Sequence, residues 1–300
     1  MTSFLTGVER PRGVFVGLTV LDILSRVQHA PAQNEKVTAL RQDIAAGGPA
    51  ANAAVTFAAL GGEAVLVTAL GEGAPSDLAR ADLESHGVRI IDCAPPSFAL
   101  GLSSITVIDG NGDRSVVSTD GGSVVVELES DAAAAVSEGL SGAGVVLADG
   151  HHPEMLRAVL ALVPSDIPVV VDAGRWKPQF EWILEPDRHI VASADFTDPH
   201  GWMPSDGNTP SGRLAGGVVV QTHGAGPIAW HAFGATGEVP AHSVRAVDTL
   251  GAGDAFHGGY AYGVALTGPG NIVENLGLAA RVAATRVSHV GPRNWLKYLG

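Results

Sequence analysis

Cysteine is nearly absent. Cys93 stands alone in 300 residues, so no intrachain disulfide can form. A reducing compartment is the expected setting. Cations are also scarce, with 18 Lys and Arg against 31 Asp and Glu, a formal net charge of −13. Such a field repels nucleic acid and anionic membranes, and neither is expected as a partner. It repels phosphate-bearing ligands too, so a phosphate site would need local N–H groups, a metal or a few cations. No apolar run reaches the roughly 18 residues of a membrane span. The opening stretch, MTSFLTGVERPRG, has no apolar core of signal-peptide length. A cytoplasmic protein is therefore expected. Internal repeats and low-complexity linkers are missing as well.

Apolar residues and glycine are plentiful. Hydrophobic residues make up 46% and 39 residues are glycine. That is a folded composition with many tight turns or close backbone approaches. Continuous apolar runs at Gly13–Leu18, Ala64–Leu70, Gly144–Asp149, Pro168–Asp172, His189–Ala192 and Gly217–Thr222 predict buried parallel strands. Between them, Pro49–Leu60, Pro75–His86, Pro153–Val163 and Gly253–Leu266 predict helices. This alternation predicts an α/β fold, with a mainly parallel central sheet flanked by helices. Two β excursions interrupt it. Ser103–Ile108 and Arg114–Thr119 flank an Asp-Gly-Asn-Gly-Asp turn, a strong hairpin signal, and a polar stretch from about Gln33 to Ile44 looks extended. Together they predict a small extra sheet. Ala132–Ala135 is a helix-prone patch and nothing more.

The sharpest feature is the segment Asp248-Thr249-Leu250-Gly251-Ala252-Gly253-Asp254. A glycine-rich turn leads straight into a helix. The free N–H groups of that first turn, with the helix dipole, make an anion site. Asp254 stands beside it, where a carboxylate would repel phosphate unless it took a proton from an attacking hydroxyl. The plainer reading is an acid favoured near any helix N-terminus. No Gly-Lys-Ser/Thr ending marks a P-loop, and no G-x-G-x-x-G follows the first strand.

This segment resembles the C-terminal signature of the PfkB, or ribokinase-like, carbohydrate kinases. Gly47-Gly48-Pro49-Ala50-Ala51-Asn52, some 200 residues earlier, resembles their N-terminal signature. The resemblance runs from about Val14 to about Gly291. It implies a single ribokinase-like domain over residues 1–300, with a β lid from about 31–46 and 98–121. It implies ATP-dependent phosphoryl transfer to a sugar or sugar-like hydroxyl. By similarity, Asp22, Gly47, Gly48 and Asn52 bind the acceptor. Gly251, Ala252 and Gly253 form the anion hole, Asp254 is the base, and Thr222 and Gly224 bind nucleotide. The implied cofactors are ATP and Mg²⁺, with a monovalent cation such as K⁺ as a further candidate, and the implied assembly is a homodimer through the lid. A nucleoside kinase of the same fold and a non-catalytic ligand-binding relative are the alternatives. Several strings, among them Val145-Val-Leu-Ala-Asp149 and Asp254-Ala-Phe-His-Gly258, are nearest in feel to sulfofructose-kinase-like and ketohexokinase-like members.

The family's N-x-x-E motif has no counterpart after His189–Ala192, where the chain reads Ala192-Ser193-Ala194-Asp195. The acid that would organise a metal is thus unassigned. Lys36 and Arg114, in the lid, read most simply as solvated charges. Arg175 and Lys177 follow a strand end and are weaker candidates for phosphate or substrate contact. His151-His152 read as loop surface first, substrate hydrogen bonding second and metal ligation last. His257 is expected to pack or hydrogen-bond. The tryptophans read as core or interface.

Overall fold

The computed structural model describes residues 10–119, 124–212 and 214–299. The expected hydrophobic runs become the centre of a nine-stranded sheet. In chain order its strands are β1 (Arg12–Val16), β4 (Glu63–Thr68), β5 (Val88–Asp92), β8 (Val145–Ala148), β9 (Val169–Ala173), β10 (His189–Ala192), β11 (Val218–Gln221), β12 (Ile228–Ala232) and β13 (Ala235–Val239). Their spatial order is β13-β12-β11-β10-β9-β8-β1-β4-β5. Pairing is parallel from β5 to β11, and the β12–β13 hairpin closes one edge antiparallel. Every residue of β8 and β10 is buried, as central strands covered on both faces should be.

Helices α1 (Pro49–Ala59), α2 (Ala74–Ser85), α4 (Pro153–Leu162) and α6 (Ala252–Thr267) match the expected ones to within a residue or two. Proline in the first turn fixes the start of α1, α2 and α4. The patch around Ala132–Ala135 is more than a patch, since it lies inside helix α3 (Ser130–Leu140). Two further helices, α5 (Phe180–Ile183) and α7 (Ile272–Val287), were not expected. Among the described residues no helix is long and apolar enough to cross a membrane.

The second sheet has four strands in the order β3-β2-β6-β7: β2 (Val20–Val27), β3 (Arg41–Gly47), β6 (Leu102–Ile108) and β7 (Arg114–Ser118). The hairpin turn forms as its sequence dictates, with Asn111 Oδ1 accepting the Asp113 N–H at 3.0 Å. The earlier stretch differs from expectation. Only its last residues, from Arg41, are in a strand, and the pairing partner is β2, a strand that was not expected. Residues around Pro31 turn back instead, with the Glu35 N–H donating to Ala32 O and Asn34 at φ 62°. Of the expected lid bounds, residues 120 and 121 lie outside the described residues.

Alternation along β2 decides what this sheet does. Asp22, Leu24 and Arg26 share its inner face. Leu24 packs with Ile105, Val107 and Leu250, and Arg26 reaches the loop that opens α6. The outer face carries the row Ile44–Ile23–Ser104–Val117, fixed by the register of all four strands.

Candidate active site

The carboxyl ends of the parallel strands, the inner face of the small sheet and the N-termini of α1 and α6 converge on one cleft. It is lined by Asp22, Asn52, Leu250, Gly251, Arg286 and Arg293, among others. The two signature segments, 200 residues apart in sequence, are joined here by a direct hydrogen bond: Asn52 Nδ2 donates to Asp254 Oδ2 at 2.8 Å.

Gly251 is the N-cap of α6, at φ 67°, a left-handed conformation that glycine adopts without strain. Gly253 faces open space, since a Cβ there would meet nothing within 4 Å. The first turn of α6 thus leaves room beside Gly253 for a ligand to approach the backbone, while the Ala252 N–H donates to Thr249 O at 3.4 Å. Gly47 has the opposite reason to be glycine. A Cβ there would stand 2.1 Å from Asp22 Oδ2, so only glycine lets that carboxylate lie against the α1 turn.

Both cleft carboxyls are harder to ionise than usual. For Asp254, burial is the main cause and the Asp172 carboxylate adds to it, against the pull of Asn52 and His257. For Asp22, burial pushes the pKa up to about 7, with Asp254 adding and the Ser103 hydrogen bond and Arg293 opposing. An Asp that protonates near neutrality links proton binding to folding. The native state holds the Asp22 proton between about pH 4 and 7, where the unfolded chain has lost it. That contribution to stability is therefore complete below about pH 4 and lost as pH rises through about 7. Denaturant titrations of Asp22→Asn across pH 4–8 should lack it, whereas a parallel pH dependence in both proteins would show that Asp22 ionises normally.

Sequence reasoning missed the residues that hold this cleft together. Asp248 is buried and faces two guanidinium groups, with Arg26 Nη2 and Arg286 Nη2 each 3.4 Å from it. It also accepts the N–H of Leu250 at 3.2 Å and of Gly291 at 3.1 Å. Arg293 donates to Asn52 Oδ1 at 3.0 Å, to Ala46 O at 2.7 Å and to Asp82 Oδ2 at 2.9 Å. It therefore orients the amide that contacts Asp254. A lone Arg in a Gly-Pro-Arg-Asn turn carries no sequence signal for such a role.

The remaining candidates fall as follows. Arg114 is not merely solvated, for its Nη1 donates to Thr249 Oγ1 at 2.9 Å, so the lid hairpin touches the α6 loop. Lys36 and Arg175 are exposed. Lys177 donates to Asp149 O at 3.3 Å. Asp149 is a structural clasp: its carboxylate accepts the N–H of Leu18 at 2.9 Å and of Ala50 at 3.0 Å, capping α1 from a neighbouring strand. His257 spans from Gly253 O at 2.7 Å to Val191 O at 3.3 Å, and Asp172 Oδ1 lies 3.5 Å away. Thr222 and Gly224 lie past the end of β11, and the Thr222 N–H donates to Ala192 O at 2.9 Å. The end of β10 is therefore where the α6 turn and the Thr222 loop are tied together. Among the described residues no group of three or more His, Cys, Asp or Glu is arranged to hold a metal ion.

A family profile described as pfkB family carbohydrate kinase matches residues 12–176 and 210–297. An ATP-dependent ribose-1-phosphate kinase of Halopiger xanaduensis is 27% identical over 80% of this chain and 80% of its own. A deoxyribokinase of Salmonella typhi is 25% identical over 82% of this chain and 83% of its own. In fold, a ribokinase from Thermotoga maritima superposes with a TM-score of 0.70, covering 97% of this chain and 99% of its own at 21% identity.

Proposed function

The chain belongs to the pfkB family of carbohydrate kinases and transfers a phosphoryl group from ATP to a sugar hydroxyl, and on that premise we propose the roles of its residues. Asp22, with the Gly47-Gly48 turn and Asn52, holds the acceptor sugar. Asp254 takes the proton from the attacking hydroxyl. The freed oxygen pair bonds the γ-phosphorus while the bond to the β–γ bridging oxygen breaks, leaving ADP. Amides of Gly251, Ala252 and Gly253 stabilise the charge on the moving phosphoryl group. The observation that carries this reading is the Asn52–Asp254 hydrogen bond, which brings both signature segments to one point. The raised pKa of Asp254 makes it a stronger proton acceptor than an ordinary carboxylate.

The Thr222–Gly224 loop would receive the nucleotide, and a Mg²⁺ ion held through its phosphates would offset their charge. Asp195, exposed past β10 where the N-x-x-E motif would stand, is the acid nearest in position to the missing one. The setting of Asp248 does not fit a bound monovalent cation, since two guanidinium groups already face its carboxylate. No step is assigned to such an ion. An ADP-release assay over aldoses, ketoses and nucleosides tests the function. Turnover of nucleosides alone would favour the nucleoside-kinase alternative.

We also propose a homodimer built on the outer face of the small sheet. Ile44, Leu102 and Val117 are 58%, 43% and 74% exposed on that face, a concentration of apolar surface that a second copy would cover. The edge strands β3 and β7 bound it with unpaired backbone groups. Ile44→Glu is expected to halve the mass seen by light scattering at micromolar concentration. A monomeric wild type would refute the interface.

A further inference from the structure

We propose that His152 is an acceptor-binding residue whose Nε2 is held in reserve for a hydroxyl of the sugar. The proposal rests on the kinase reading above and deepens it.

Two unfavourable features meet at this one side chain. His152 is 8% exposed, and its Nε2 has no hydrogen-bond partner among the described residues. A buried polar atom left unpaired is costly, so such atoms are rare and call for a reason. Its backbone is also left-handed, at φ 50°, uncommon for any residue but glycine. Among the described residues no group supplies the missing hydrogen bond. A bound ligand would.

The position is right for the acceptor. His152 begins α4 directly after the Asp149 clasp, which is bonded to Leu18 and to Ala50 at the head of α1. Asn52 and Gly48 belong to that same helix start. The Phe98 ring packs edge-on against the imidazole, with centroids 6.1 Å apart. Phe98 lies in the loop that ends at Gly101, and Gly101 O accepts the Leu21 N–H. The ring against the imidazole is thus tied through its loop to β2, the strand that carries Asp22. Movement of the small sheet as the acceptor enters would uncover the nitrogen and bring Asp22 to the same ligand.

The chemistry narrows the ligand. Burial first, with His151 adding, pushes the His152 pKa down to about 4, against the pull of Asp149. The ring is therefore neutral at physiological pH. A neutral imidazole nitrogen suits a hydroxyl, which can donate or accept, and gives no ionic attraction to a phosphate.

The test uses His152→Phe, which keeps an aromatic ring against Phe98 and removes both nitrogens. The probes are D-ribose, 2-deoxy-D-ribose, D-fructose, ribose 1-phosphate and adenosine. For the best acceptor, KM is expected to rise about 10- to 100-fold, with kcat and the KM for ATP within about twofold. The melting temperature should change little, because Nε2 has no hydrogen-bond partner among the described residues. An acceptor KM within twofold of wild type overturns the proposal, as does a fall in melting temperature without a change in KM. Should the variant fail to fold, His152→Gln is measured the same way. If the wild type forms no ADP from any probe, the kinase reading fails. Calorimetric titration of the same sugars into both proteins then still decides the role of His152, by loss or retention of binding in the variant.

Discussion

Asp254→Asn is expected to lower kcat by about 10²- to 10⁴-fold while leaving acceptor and ATP binding nearly intact. The asparagine has the same shape and stays beside Asn52, yet it cannot accept a proton at neutral pH. The oxyanion-type amides of residues 251–253 survive in the variant, so residual turnover should remain measurable. The wild-type rate should fall as pH drops through the raised Asp254 pKa, because a protonated base cannot act. With burial and Asp172 pushing that pKa up, the acid limb should lie above the ordinary carboxylate range of about 4. The residual activity of Asp254→Asn should lack this limb. Stopped-time ADP assays from pH 4.5 to 9, with binding followed by calorimetry, check both statements. A variant with more than about a tenth of wild-type kcat would remove Asp254 from the role of base.

Asp248→Ala is expected to cost about 3–5 kcal/mol of stability, the range for breaking a buried ion pair from one side. The change takes the facing carboxylate from buried Arg286, leaves Arg26 with Asp109 alone at 3.0 Å, and leaves the N–H groups of Leu250 and Gly291 without that acceptor. For a chain of this size that corresponds to a fall in melting temperature of about 10 °C. Activity should fall with it, because Asp248 fixes the loop that sets the anion-binding turn. Scanning calorimetry of Asp248→Ala beside Asp248→Asn would separate shape from charge. A loss below about 1 kcal/mol would mean that the arginines find solvent when Asp248 is gone.

The sequence made parts of this molecule plain and hid others for physical reasons. The parallel strands were legible because central strands are apolar throughout, and the β6–β7 hairpin because its Asp-Gly and Asn-Gly turns admit few alternatives. The start of α6 was legible because small residues before an acid have a distinct chemistry. Helix α7 went unread although its buried positions recur at helical spacing. Strand β2 was hidden because Leu18–Leu21 continues the apolar run of β1, and only the turn at Gly17 divides them. The arginine clasp around Asp248 and the Arg293–Asn52 contact were not legible at all. The Arg26–Asp248 and Arg293–Asn52 contacts join residues more than 200 positions apart, and a single sequence carries no distance information. Asp22 lines the cleft from within β2, a strand of the second sheet.

The most direct test is a ternary structure with the acceptor found in the assay and a non-hydrolysable ATP analogue. The acceptor hydroxyl is expected about 2.6–3.2 Å from an Asp254 carboxylate oxygen and in line with the γ-phosphorus, with the γ-phosphate on the amides of residues 251–253. A hydroxyl bound by some other base, or a γ-phosphate seated away from that turn, would contradict the assignment.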